Sequence, residues 1–116
     1  MAVDIRPAQA LRLLHDFTDA LVTDDAPDLS ARQLAVLLTI YLDPPPHTVR
    51  GLAAKLGVTK PVITRALDSM GKLDLVSRRR DETDRRNVVI QRTVKGALAV
   101  ERLGDLLVAK ARALPR

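Results

Sequence analysis

The sequence predicts a mainly α chain carrying one small β-hairpin, on three observations. Phe17 and Tyr41 are the only aromatic residues, so the core is built from Leu, Val, Ile and Ala, a composition suited to packed helices. A short periodic stretch, Val49 to Leu56, is followed by Gly57-Val58-Thr59 and a second periodic stretch, which is the spacing of a helix-turn-helix. Directly behind it lie two strand-like runs, Leu75 to Arg80 and Asn87 to Arg92, joined by the charged tip Asp81 to Arg86. A helix beside a basic hairpin is the geometry of a winged helix-turn-helix domain, whose helix fits a major groove and whose wing reaches an adjacent minor groove.

Each element follows from its own signals. Arg6 to Val22 reads as an amphipathic helix with Leu11, Leu14, Phe17 and Leu21 on one stripe, widened by Ala10 and Leu13, and ended by Asp24, Asp25, Ala26 and Pro27. Ser30 and Gln33 form a capping box ahead of the apolar run Leu34 to Leu42, which should be the buried centre. Asp43-Pro44-Pro45-Pro46-His47 stops that helix and acts as a connector, because three prolines cannot continue it. Thr48 caps the third helix, with Leu52, Ala53 and Leu56 inward, and Gly57 closes it.

Thr59 then stands at an N-cap position, its hydroxyl placed to accept a backbone N–H, with Pro61 in the first turn. Ile63, Ala66, Leu67 and Met70 form the buried face of this fourth helix, while Lys60, Thr64, Arg65, Asp68 and Lys72 form a polar, cationic face. After the hairpin, Thr93 caps a last helix from Val94 to about Ala113, with Val100, Leu103, Leu107, Ala111 and Leu114 on one stripe. Leu98, Leu106 and Val108 extend that stripe beyond what one small domain can cover, so a second copy is the natural partner. The Arg112, Pro115 and Arg116 end should fray.

At 116 residues and 47% hydrophobic content the chain fits a single domain spanning 1–116, with 30–92 as its DNA-binding core and 6–23 and 94–113 as dimerisation helices. It has no cysteine, which excludes disulfides and thiolate metal sites. No apolar stretch is long enough to span a bilayer and the N-terminus lacks a secretory pattern, so the expectation is a soluble, cytoplasmic protein with no membrane partner. The net charge of +5 is unevenly spread: residues 1–47 carry three Arg against seven Asp, a net of −4, and residues 48–95 carry twelve Lys and Arg against five acids, a net of +7. A basic run alone is usually a solvated face. Its coincidence with the helix and hairpin turns it toward nucleic acid.

These residues resemble the MarR family of bacterial winged-helix transcription regulators. The resemblance rests on Leu52-Ala53, Leu56-Gly57-Val58, Ile63-Thr64-Arg65, Leu67-Asp68, Leu75-Val76, Arg78, Asp84-Arg85-Arg86, Thr93 and Gly96, in the family's order and spacing over about residues 30–97. It departs at Gly71, where the family has an acid, and at Asp74, where it has a glycine; Asp tolerates the left-handed conformation better than most residues. The resemblance implies a homodimer formed by the terminal helices, and the apolar surface that one small domain cannot use puts Leu11, Leu14, Leu103 and Leu107 at its interface. A small-molecule effector is left open, because a single C-terminal helix stands where the family has a longer helical section.

No nucleophile, base or metal set clusters in the sequence, so no enzymatic activity, cofactor or metal is expected. His15 and His47 each read as a solvent-facing or satisfied side chain. The expected DNA contacts are Thr59, Lys60, Pro61, Thr64 and Arg65 from the helix and Arg78, Arg85 and Arg86 from the wing, with Asp84 pairing with Arg86 to hold the tip. The function expected is a sequence-specific regulator binding double-stranded DNA, a repressor on a pseudo-palindromic operator. The alternative is a winged-helix interaction module whose basic face meets an acidic protein partner.

Overall fold

A computed structural model describes residues 3–24 and 26–115. Asp25, counted among the helix-ending residues, and Arg116, at the frayed end, lie outside the described residues. Among those residues the elements run α1 (Pro7–Thr23), α2 (Ala31–Leu42), β1 (His47–Thr48), α3 (Val49–Leu56), α4 (Lys60–Lys72), β2 (Val76–Arg80), β3 (Val88–Arg92) and α5 (Val94–Arg112). The chain divides into two compact units, one of residues 29–100 and one of residues 1–28 with 101–116.

The larger unit is a mainly helical winged helix-turn-helix fold. Its helices begin and end where local chemistry dictates. The Ser30 hydroxyl accepts the Gln33 N–H at 3.1 Å while the Gln33 side chain accepts the Ser30 N–H at 2.8 Å, the reciprocal box the sequence predicts. Thr48 accepts the Gly51 N–H at 2.9 Å at the start of α3, and Gly57 ends it at φ 66°, the left-handed conformation that glycine adopts without strain. Asp74 is also left-handed, at φ 59°, and turns the chain out of α4 into the wing. Val36, Leu37 and Ile40 of α2 meet Leu52 and Ala53 of α3 and Ile63, Ala66, Leu67 and Met70 of α4, with Leu75, Val76 and Ile90 closing the core beneath the wing.

The sheet has three strands where the sequence predicts a two-stranded hairpin. In the order β1-β3-β2, Val76 pairs with Arg92 and Arg80 with Val88, while His47 and Thr48 pair with Ile90 and Val89. Two residues after a proline run are too short to carry a strand periodicity, and their pairing depends on a partner about forty positions away in the chain. His47 is buried, its Nε2 N–H donating to the Asp43 carbonyl at 3.0 Å.

The two legs of the wing are clasped at their base by one side chain. The Tyr41 hydroxyl donates to the Leu75 carbonyl at 2.7 Å, just before β2, and accepts the Thr93 N–H at 2.9 Å, just after β3. The Thr93 hydroxyl donates to the Asp74 carbonyl at 2.7 Å and accepts the Gly96 N–H at 2.9 Å, capping α5. Arg92 lies over the Tyr41 ring, 5.7 Å from its centre, and donates to the Ile40 and Asp43 carbonyls at 2.8 and 2.9 Å. This arginine belongs by sequence to the basic hairpin, yet its guanidinium is spent inside the fold.

Gly96 has no room for a side chain: a Cβ there would sit 1.9 Å from the Tyr41 hydroxyl and 2.1 Å from the Leu75 carbonyl oxygen. Alanine would favour the helix by up to about 1 kcal/mol, but overpacking costs about 1–3 kcal/mol and loosening a buried hydroxyl from its partners costs a similar amount. The clash wins. Gly96→Ala should lower the unfolding midpoint in urea without changing the slope, and Tyr41→Phe combined with it should cost less than the two changes summed. Unchanged stability in Gly96→Ala would mean that this junction is loosely packed.

In the smaller unit, α1 lies antiparallel to the C-terminal half of α5. The Gln9 side chain donates to the Pro115 carbonyl at 3.3 Å at one end, and Arg102 meets both Asp24 carboxylate oxygens at 2.6 and 2.7 Å at the other. Of the predicted stripe of α1, Leu13, Phe17 and Leu21 are half-buried beside the buried Ala20, whereas Leu11 and Leu14 are 67% and 58% exposed. On α5 the half-buried positions include Leu103 and Leu106, with Leu114 half-buried just beyond its end, whereas Leu107, placed on the stripe by the sequence, is 42% exposed. Both helices carry leucines on adjoining faces, so periodicity alone does not choose which face turns inward.

Candidate nucleic-acid interface

Helix α4 has two chemically opposed sides. Ile63, Leu67 and Met70 are fully buried and Ala66 nearly so, which fixes the rotation of the helix about its axis. That rotation leaves Thr59, Lys60, Pro61, Thr64 and Arg65 exposed together on the first two turns. All five residues expected at a groove therefore share one surface. The Thr59 hydroxyl does not make the capping bond expected of it. Pro61 near the helix start already removes one of the donors a cap would satisfy, and the hydroxyl is left available to an outside partner.

The wing stands beside this helix and is tied to it. Arg78, the third residue of β2, meets the Asp68 carboxylate at 2.8 Å, so its charge is balanced and it links the wing base to α4. The tip is folded by its own side chains. Asp81 accepts from the Thr83 amide at 2.9 Å and the Thr83 hydroxyl at 2.7 Å. These bonds, the hydroxyl first, hold the Asp81 carboxyl below its ordinary pKa, so it stays ionised as the anchor of the turn. The Asn87 N–H reaches the Asp84 carbonyl at 2.9 Å, and Arg80 donates to the Arg85 carbonyl at 2.9 Å. Asp84 accepts from the backbone of Arg86 at 3.1 Å and from its guanidinium at 3.4 Å, the pairing the sequence predicts.

This internal bonding sorts the cations. Arg78, Arg80, Arg86 and Arg92 each engage a carboxylate or carbonyl of the fold, and Lys55 pairs with Asp43. Among the described residues, the side chains of Lys60, Arg65, Arg79 and Arg85 make no hydrogen bond or ion pair and are exposed. Arg32, on α2, belongs with them. It lies in the acidic first part of the sequence and carries no motif, so sequence reasoning passes over it; only packing brings it beside Arg65.

Among the described residues, no three His, Cys, Asp or Glu side chains gather as a metal set, and no helix is long and apolar enough to cross a membrane. The exposed His15 ring bonds to the carboxylate of the neighbouring Asp16 at 2.9 Å.

The model of the MarR family matches residues 28–87, more than half of the chain. No curated relative matches the sequence. Among solved structures, the chain is similar to the transcriptional repressor CouR bound to a 23-mer DNA duplex, at 25% identity and a TM-score of 0.72, over 91% of this chain and 72% of that one. It is similar to a mutant of MepR from S. aureus at 19% identity and a TM-score of 0.74, over 95% and 82%. It is also similar to a MarR-family transcriptional regulator from Rhodococcus sp. RHA1 at 26% identity and a TM-score of 0.66, over 87% and 69%.

Proposed function

The chain belongs to the MarR family, and on that premise we propose that it is a cytoplasmic, sequence-specific regulator of transcription that binds double-stranded DNA, a repressor acting as a homodimer on a pseudo-palindromic operator. The observation that carries this reading is the outer face of α4, where Lys60, Thr64 and Arg65 stand exposed on a helix whose opposite face is locked in the core. A rigid helix with available donors matches the width and hydrogen-bonding edges of a major groove. The duplex held by CouR supports the same assignment here.

Within that reading the roles divide. Arg65 reads a guanine edge and Thr64 a base or thymine methyl, while Thr59, Lys60 and Pro61 set the helix against the backbone. Arg85, the unengaged arginine of the tip, enters the minor groove; Arg86, paired with Asp84, shapes the tip and adds charge there. Arg78 anchors, through Asp68, the angle between wing and helix. Residues 30–92 form the DNA-binding core, and the helices over 6–23 and 94–113 join two copies through Leu11, Leu14, Leu103 and Leu107, three of which are exposed.

Binding-site selection with variants tests the division. Thr64→Ala or Arg65→Ala should relax preference at particular positions, losing about 1–3 kcal/mol of discrimination for each good contact. Arg78→Ala should weaken all sequences nearly alike. An unchanged selection profile for Arg65→Ala would show that α4 is not the reader.

A further inference from the structure

A notch of about 180 Å³ opens between the start of α2 and the middle of α4, lined by Ser30, Arg32, Gln33, Arg65, Ala66 and Ser69 among others. Its polar groups are not equivalent. Ser30 and Gln33 satisfy one another through their capping box, and the Ser69 hydroxyl donates to the Arg65 carbonyl at 3.2 Å. Arg32 and Arg65 have no such outlet: both are exposed, and neither guanidinium makes a hydrogen bond or ion pair among the described residues. Among the described residues, no carboxylate lines the notch. In the same unit Lys55 pairs with Asp43 and Arg78 with Asp68, each where a carboxylate lies within reach. Two positive side chains at one open notch that has no counter-charge make it favourable for an anion.

From this arrangement we infer that Arg32 grips one backbone phosphate of the DNA duplex, at the edge of the groove in which the neighbouring Arg65 reads a base. The inference rests on the DNA-binding reading above and adds α2 to the interface. The guanidinium fork matches a phosphodiester, with its two outward oxygens, better than an ammonium does. Because Arg65 lies on the exposed face of α4 and also on the notch, the phosphate contact fixes where that residue stands along the groove. Arg32 is then a backbone contact that sets register and carries no base information of its own.

The experiment measures affinity against salt for the full chain and for Arg32→Gln and Arg32→Lys, on a duplex recovered by binding-site selection and on an unrelated duplex of equal length. Removing one phosphate contact should make the slope of log affinity against log salt shallower by about 0.9 for each copy bound. Arg32→Gln should show that change on both duplexes, with its selection profile and its unfolding midpoint unaltered, and Arg32→Lys should recover most of the slope. An unaltered slope in Arg32→Gln, with the parent chain binding normally, overturns the inference and leaves the DNA-binding reading intact. A changed base preference overturns it too, by making Arg32 a base reader. Protection of Arg32 by inorganic phosphate alone, without any effect on duplex affinity, would assign the notch to a free anion instead. A parent chain that binds neither duplex removes the DNA-binding reading and the inference together.

Discussion

Leu107→Glu is expected to turn the protein into a monomer and to lower its operator affinity by roughly 100- to 10,000-fold. Leu107 is 42% exposed, beside Val108 at 47%, and on α1 the exposed leucines are Leu11 and Leu14. They are exposed where Leu13 and Leu21 of α1 and Leu103 and Leu106 of α5 are half-buried. In a dimer built on that apolar surface a glutamate would sit as an unpaired ion, at a cost of several kcal/mol, enough to dissociate a modest interface. Two half-sites bound by linked copies gain an effective concentration worth roughly 100- to 10,000-fold, and a monomer loses it. The recognition helices of a two-fold pair should lie about 34 Å apart and read half-sites roughly 10 base pairs apart. Since Leu107 lies outside the core of the winged unit, Leu107→Glu should still unfold cooperatively. Sedimentation and operator binding on the same sample check this, and a Leu107→Glu chain that stays dimeric would move the interface elsewhere.

The winged unit was largely legible because its signals are local. Ser30 with Gln33, Thr48 with Gly51, and Gly57 mark helix ends through bonds made within a few residues, and the structure places those ends accordingly. The buried face of α4 was readable for a similar reason: Ile63, Ala66, Leu67 and Met70 are apolar among polar neighbours, leaving one way to turn the helix. Even Asp74, a departure from the family pattern, takes the left-handed turn its residue type permits. What escaped depends on distant partners. The strand β1 exists only through Ile90 and Val89. Arg92 looked like wing charge, and its internal role appears only when Tyr41, Ile40 and Asp43 are brought beneath it. Arg78 likewise meets Asp68 only in the folded chain, and Arg32 gains its setting only from the packing of α2 on α4. On the terminal helices leucines occupy adjoining faces, so periodicity alone left open which face turns inward.

The central claim is that this chain grips DNA through charge gathered on residues 48–95, which carry a net +7, and the direct measurement is operator affinity as a function of salt. Lys60, Arg65, Arg79 and Arg85 are exposed and unengaged within the fold, so they are available to neutralise phosphates and release their counterions. With about six phosphates neutralised by the bound assembly, affinity should fall by roughly a thousandfold between about 50 and about 200 mM salt. A gel-shift titration across that range reads the slope without knowledge of the regulated genes. A steep, linear decline of log affinity with log salt is the expected result; tight duplex binding that salt leaves unchanged would contradict the account.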